Sequence, residues 1–173
     1  LQHAVLERLV TEWSAAGFGE PWPDELVARL DELIDEEFAR AEATAVVGLK
    51  HSWNRQKIRM RSDLRHWILR DNKLRADGWK PLRAELRFRD LELRLPSGEV
   101  FHVNGSIDRV DTDRHSNLRV WDYKTGQSRN FSRLKQDNPT ASGRFLQLPI
   151  YAIAAETSFG RGPLPTQAKY WFL

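Results

Sequence analysis

No cysteine occurs among the 173 residues. Disulfides, thiolate zinc sites and iron–sulfur clusters are therefore excluded within this chain. That suits a cytoplasmic protein. No apolar run approaches the roughly 20 residues needed to span a bilayer, so no membrane partner is expected. The first residues are amphipathic rather than a basic stretch followed by an apolar block, so nothing reads as a signal peptide. Internal repeats and low-complexity tracts are absent too. A large charge of one sign is also missing. The 27 Lys and Arg stand against 24 Asp and Glu, leaving a net +3, so distribution matters more than the total. The chain has no initiator Met, opens inside an apparent helix and closes on "AKYWFL", a strand pattern without a turn. A fragment of a larger protein is the expectation.

What is present suits one domain. Hydrophobic residues make up 40% and charged residues 29%, enough for a packed core in an ordinary soluble chain. "LQHAVLERLVTEW" carries Leu6, Leu9, Val10 and Trp13 at helical spacing, with His3 at the edge of that stripe. "SAAGFGEPWP" is a loop by its glycines and prolines. "DELVARLDELIDEEFARAEATAVVG" puts Leu26, Leu30, Leu33, Ile34, Phe38 and Ala41 on one face, with acids crowding its start as the helix dipole favours. "HSWNRQKIRMRSDLRHWILRDNKLRADG" is a further helix. Its apolar side is Trp53, Met60, Leu64, Trp67 and Leu74, and Arg55, Arg59, Arg65, Arg70 and Lys73 lie elsewhere. Those cations suit either a solvated face or a surface that neutralises phosphates.

After Pro81 the period changes. "LRAELRFRDLELRL" nearly alternates, "PSGE" is a turn, "VFHVNGSIDRVD" a strand, "TDRHSN" a turn and "LRVWDYKTG" a strand. "RFLQLPIYAIAAETSFG" reads as a helix that starts or kinks at Pro149, and "TQAKYWFL" as a last strand. The predicted class is α/β: N-terminal helices, a three-stranded antiparallel meander, a helix and a further strand. A helical segment over 24–78 is inserted between the first helix and the strand core of a single domain.

The stretch "VWDYKTG", residues 120–126, concentrates the chemistry. In a strand, Val120, Asp122 and Lys124 share one face. Glu85 lies on the first strand, and Asp108 near the end of the second. Half-buried acids on adjacent strands repel and tend to hold protons unless a cation sits between them. A hard divalent ion with oxygen ligands removes that conflict, and Lys124 could then act on water or on phosphate charge. The same residues also suit two surface ion pairs, Asp108 with Arg109 or Arg119 and Asp122 with Lys124.

"GSIDRVD", "VWDYKTG" and "QLPIY", in that order, resemble the PD-(D/E)XK nuclease superfamily. The likeness is nearest to RecB-type nuclease domains and to the C-terminal nuclease of AddB-like recombination proteins. Gly105 and Asp108 match the family's G-x-x-D. Asp122, Tyr123, Lys124, Thr125 and Gly126 match D-Y-K-S/T-G, and Gln147 and Tyr151 match Q-x-x-x-Y. "HAVLE" matches an H-x-x-L-E context through His3, Leu6 and Glu7, and "AELRF" supplies Glu85. The region from about 17 to 80 contributes nothing specific.

The resemblance implies a restriction-endonuclease-like core and hydrolysis of DNA phosphodiester bonds by water activated on Mg²⁺ or Mn²⁺. Asp108 and Asp122 would be carboxylate ligands, with His3 supplying a nitrogen and the Tyr123 carbonyl an oxygen. Lys124 would be the catalytic lysine, Glu85 would assist, and Gln147 and Tyr151 would steady the DNA or the lysine. It further implies an exonuclease in DNA double-strand-break repair and recombination, working with a helicase-nuclease partner subunit or a helicase-like region of the same protein. The alternative of a different class is a catalytically silent DNA-binding or scaffold module that kept the fold. Such decay usually replaces a ligand or the lysine, and here all are present. A restriction-type endonuclease rarely carries the Gln-Leu-x-x-Tyr helix.

Overall fold

Asp24 and Glu25 open an apolar pattern of helical period, where the helix dipole favours negative charge, and the chain is helical there. The computed structural model describes residues 1–13, 17–44, 47–126, 128–131, 140, 143, 145–160 and 162–173, with the side chains at 128 and 130 left aside. Within these residues the helices are α1 (Gln2–Glu12), α2 (Asp24–Ala43), α3 (Lys50–Ala76) and α4 (Gln147–Phe159). The strands are β1 (Lys80–Arg94), β2 (Val100–Thr112), β3 (Leu118–Lys124) and β4 (Gln167–Phe172). A short 3-10 turn covers Ser128–Phe131. Among the described residues no helix is long and apolar enough to cross a membrane.

The chain divides into two units, Leu1–Lys80 with Leu173, and Pro81–Phe172. In the first, α1 buries Val5, Leu6, Leu9 and Val10, and α2 buries the expected stripe from Leu26 to Ala41. α3 buries Trp53, Leu64 and Trp67 as expected, while Met60 and Leu74 are only half-buried. Ion pairs join α3 to α2: Arg61 reaches Asp31 and Asp35, Arg65 reaches Asp31, and Lys57 reaches Glu42. The loop before α2 is tied to the end of α3. Trp22 donates its indole N–H to Asp71 at 2.5 Å, and the buried Arg75 guanidinium lies 4.2 Å from the centre of the Trp22 ring. The guanidinium also donates to the Glu20 and Gly17 carbonyls, so a buried cation is held by a ring face and by backbone acceptors.

The second unit is a four-stranded sheet in the order β1-β2-β3-β4. β1 and β2 form a hairpin closed by the Leu95 N–H donating to the Glu99 carbonyl. β2 runs antiparallel to β3, from Thr112 opposite Leu118 to Arg109 opposite Trp121. β4 is parallel to β3, from Arg119 beside Gln167 to Lys124 beside Phe172. Parallel pairing needs a crossover, and α4 lies on that connection. Ala154 and Ala155 of α4 pack against Ile107, Val110, Leu118 and Val120, the core of this unit.

β3 is buried at every position from Leu118 to Tyr123, as a central strand covered on both faces must be. β1 does not alternate cleanly, because Glu85 (φ 46°) and Asp90 (φ 50°) adopt the left-handed backbone. Each such residue resets which face the following side chains take. The expected helix start at residue 144 lies outside the described residues. The helix is described from Gln147, which puts Pro149 in its first turn, where its missing N–H breaks no helical hydrogen bond.

Candidate active site

The site grows from the end of β3. Alternation puts Asp122 and Lys124 on one face. The β2–β3 pairing stops at Arg109 and Trp121, and the next residue of β2, Asp108, accepts the Tyr123 backbone N–H at 2.6 Å. That bond fixes the Asp108 carboxylate beside the end of the neighbouring strand. On the other side, parallel register puts Tyr170 next to Asp122.

Gln147, the first residue of α4, links these groups. Its amide N–H₂ donates to Asp122 Oδ1 at 2.8 Å and to the Tyr151 hydroxyl at 2.9 Å. Its amide oxygen accepts from Lys124 Nζ at 3.1 Å. Lys124 Nζ also lies 2.5 Å from Asp122 Oδ2 as an ion pair. Lysine, aspartate and glutamine thus close a triangle in which each member touches the other two. The surface ion pair expected as an alternative is present in its partners, yet Asp122 is only 4% exposed. Burying a carboxylate is costly without a cation and donors in place, and Lys124 and Gln147 supply them. Of the other expected pair, Asp108 with Arg109 or Arg119, Arg109 binds Asp111, Arg119 donates to Gln167 and Asp108 accepts the Tyr123 N–H.

Two tyrosines bound the triangle. Burial pushes the Tyr151 hydroxyl pKa up, the Gln147 hydrogen bond opposes this, and Asp122, Asp108 and Glu85 add to the rise. Three carboxylates therefore act on one phenol. Tyr170 is pushed up to about 12 by burial, Asp122 and Tyr151. Both phenols stay protonated at neutral pH. The Tyr170 ring lies 5.2 Å from Lys124 Nζ, within cation–π range, and meets the Phe131 ring at a 50° tilt with centres 4.6 Å apart. Nothing in the sequence singles out Tyr170. The alternation in "AKYWFL" puts it on one face with Phe172, but the parallel register that brings it to Asp122 leaves no local mark.

Glu85 is placed by its left-handed backbone, and its Oε1 accepts from the Ser106 hydroxyl at 2.6 Å. His3 is an exposed residue of α1, in the first unit, whereas the other candidates belong to the second.

Gly105 is required by packing. A Cβ there would come within 2.5 Å of Phe88 Cζ, and the Phe88 ring meets Tyr151 edge-on at 6.0 Å. Gly105→Ala is expected to cost about 1–3 kcal/mol, as overpacking does. Urea denaturation measures it, and Phe88→Leu in the same chain should recover part of the loss.

Among the described residues no three His, Asp or Glu side chains gather as a metal cage. The carboxylates at the triangle are Asp108 and Asp122. Two carboxylates at the mouth of a sheet fit a small hard cation such as Mg²⁺, which binds through one or two carboxylates and keeps several waters. The donor set therefore suits a divalent ion held by few protein ligands.

Comparison with known proteins agrees with this geometry. The chain is 29% identical over 142 residues to an ATP-dependent helicase/deoxyribonuclease subunit of Ruminiclostridium cellulolyticum, covering 72% of this chain and 12% of that protein. Over 64 residues it is 47% identical to the protein of the same name from Clostridium perfringens, covering 35% and 5%. The Acetivibrio thermocellus protein of that name is 26% identical over 140 residues, covering 72% and 12%. The chain thus spans at most 12% of the length of these relatives. The family model of the PD-(D/E)XK nuclease superfamily matches residues 1–173. Acids on the neighbouring strands β2 and β3, a lysine two residues beyond the second acid and a glutamine that binds that acid and the lysine are what such a match should contain, and the chain belongs to the PD-(D/E)XK nuclease superfamily.

Proposed function

We propose that the chain is a Mg²⁺- or Mn²⁺-dependent deoxyribonuclease, an exonuclease that acts in DNA double-strand-break repair and recombination in the cytoplasm. The observation that carries this reading is the closed triangle of Lys124, Asp122 and Gln147, with Asp108 fixed beside it by the Tyr123 N–H. The names of the relatives, helicase/deoxyribonuclease subunits, support DNA as substrate and a helicase subunit or helicase-like region as partner. The whole chain would serve as one nuclease domain, with segment 24–78 as a helical insertion.

Asp108 and Asp122 would hold the cation, together with the Tyr123 carbonyl and the His3 imidazole. When bound, such a cation supplies polarisation of the phosphodiester and acidification of water. The protein's own contribution is positional. Gln147 orients Asp122 through Oδ1, and the same amide orients Lys124 through its carbonyl. Lys124 offers its ammonium to charge that develops on the phosphate, and its place is set before substrate arrives. Tyr151 and Tyr170 stay neutral, so they add no negative charge where a phosphate must approach. Glu85, held by Ser106, assists through water.

Cleavage of end-labelled single- and double-stranded DNA, in Mg²⁺, in Mn²⁺ and in EDTA, tests the reading beside Asp108→Ala. The expected result is cleavage that needs the metal and is lost in the variant. No cleavage by folded chain in either metal would overturn it and leave a DNA-binding or scaffold role.

A further inference from the structure

α3 divides its cations between two sides. Lys57, Arg61 and Arg65 reach the acids of α2. Arg55, Arg59, Arg70 and Lys73 lie elsewhere: at about 100° per residue they fall within about 60° of one another around the helix. All four are exposed. From Arg55 to Lys73 the stripe runs about 27 Å at 1.5 Å per residue. The helix has two acids of its own. Asp63 lies 3.7 Å from an Arg59 side chain that remains 79% exposed, and Asp71 is buried against Trp22.

Helix stability accounts for only part of the pattern. The dipole favours Lys73 in the last turn, but its influence does not reach Arg55 or Arg59. Arg55 and Arg59 at i,i+4 repel along the surface. A face that keeps like charges in register at that cost is complementary to a polyanion.

We propose that the Arg55–Arg59–Arg70–Lys73 stripe of α3 is a phosphate-holding surface for DNA, additional to the active site. The proposal rests on the nuclease reading for the identity of the polyanion. One strand of a duplex places a phosphate every 3.4 Å or so along the axis, so the stripe matches about eight phosphates in length. Contacts of this kind hold the backbone without reading sequence.

The test is fluorescence anisotropy of labelled 30-nucleotide single-stranded and 30-base-pair duplex DNA with the full chain. It is run in EDTA, from 50 to 200 mM salt, to stop cleavage. Arg55→Gln/Arg59→Gln/Arg70→Gln/Lys73→Gln is expected to flatten the slope of log affinity against log salt by about 3 to 4 for duplex, near 0.9 per contact. At 0.1 M salt this corresponds to on the order of 10³–10⁴-fold weaker binding. Single replacements at Arg55 and at Lys73, which leave the helix intact, should each flatten it by about 1. Hydrolysis of bis(p-nitrophenyl) phosphate in Mn²⁺, a substrate too small to span the stripe, reads the active site separately. Weaker, less salt-sensitive DNA binding with unchanged hydrolysis supports the proposal. Equal affinity and equal slope overturn it whether or not the chain cleaves, and leave the stripe to an acidic protein surface.

Discussion

Lys124→Met is expected to lower DNA cleavage by about 10²–10³-fold, the usual cost of losing one preorganised group that stabilises charge in the transition state. Methionine keeps the apolar stem of the lysine and removes the ammonium, so the change is aimed at charge. The loss should fall on kcat with KM little changed, since the ammonium matters most when charge develops on the phosphate. Two further groups are disturbed, because Lys124 Nζ serves both Asp122 Oδ2 and Gln147 Oε1. Gln147→Leu should therefore cost activity too, and Lys124→Met/Gln147→Leu should cost less than the two single losses combined, since groups that form one network are not independent. Single-turnover cleavage of end-labelled duplex by the four proteins measures this. Full activity in Lys124→Met would remove the lysine from the chemistry. Fully additive losses would show that the triangle does not act as a unit.

The residues of that triangle are legible in the sequence because each carries a local signal. Asp122 and Lys124 share a face by strand alternation, and Gln147 and Tyr151 share one by helical spacing. Strand order is legible for the same reason, since the turns at 96–99 and 112–117 separate runs of strand period. What the sequence hides depends on register or on unusual backbone. Tyr170 reaches Asp122 only through the parallel pairing of β4 with β3, which no short-range pattern encodes. Glu85 stands out by its motif, but its left-handed backbone and its bond to Ser106 do not, because a non-glycine residue at positive φ leaves no compositional trace. Gly105 reads as a motif letter, and its reason, the Phe88 ring 2.5 Å from where a Cβ would stand, lies on another strand. For the α3 cations the sequence alone allows both solvent and phosphate. Lys57, Arg61 and Arg65 pair with α2, a division visible only once the helices are packed.

Asp111→Ala should destabilise the chain by about 3–5 kcal/mol, although Asp111 takes no part in the triangle. Both oxygens of Asp111 are engaged: Arg109 Nε donates to Oδ1 at 2.5 Å, and a second guanidinium N–H donates to Oδ2 at 3.0 Å. Trp121 adds its indole N–H to Oδ2 at 2.7 Å. The side chains of Arg109 and Asp111 are 1% and 0% exposed. Removing the acid leaves a guanidinium in the interior without its counter-charge, and breaking a buried pair in this way costs about that much. For a chain of this size the melting temperature should fall by roughly 2–4 °C per kcal/mol. Replacing both partners, Arg109→Met/Asp111→Leu, should restore most of the stability, because two buried charges are then absent together. Trp121→Phe, which removes one donor and keeps the pair, should cost only about 1 kcal/mol. Urea denaturation of the four proteins decides the matter, and an Asp111→Ala loss below about 1 kcal/mol would mean that Arg109 finds water in the folded state. The pair also bears on function. Arg109 stands opposite Trp121, one step from Asp108 and Asp122 on their strands. A loosened register there would move the Asp108 carboxylate off the Tyr123 N–H, so Asp111→Ala should lose cleavage as well as stability, while the Met/Leu double replacement should recover both.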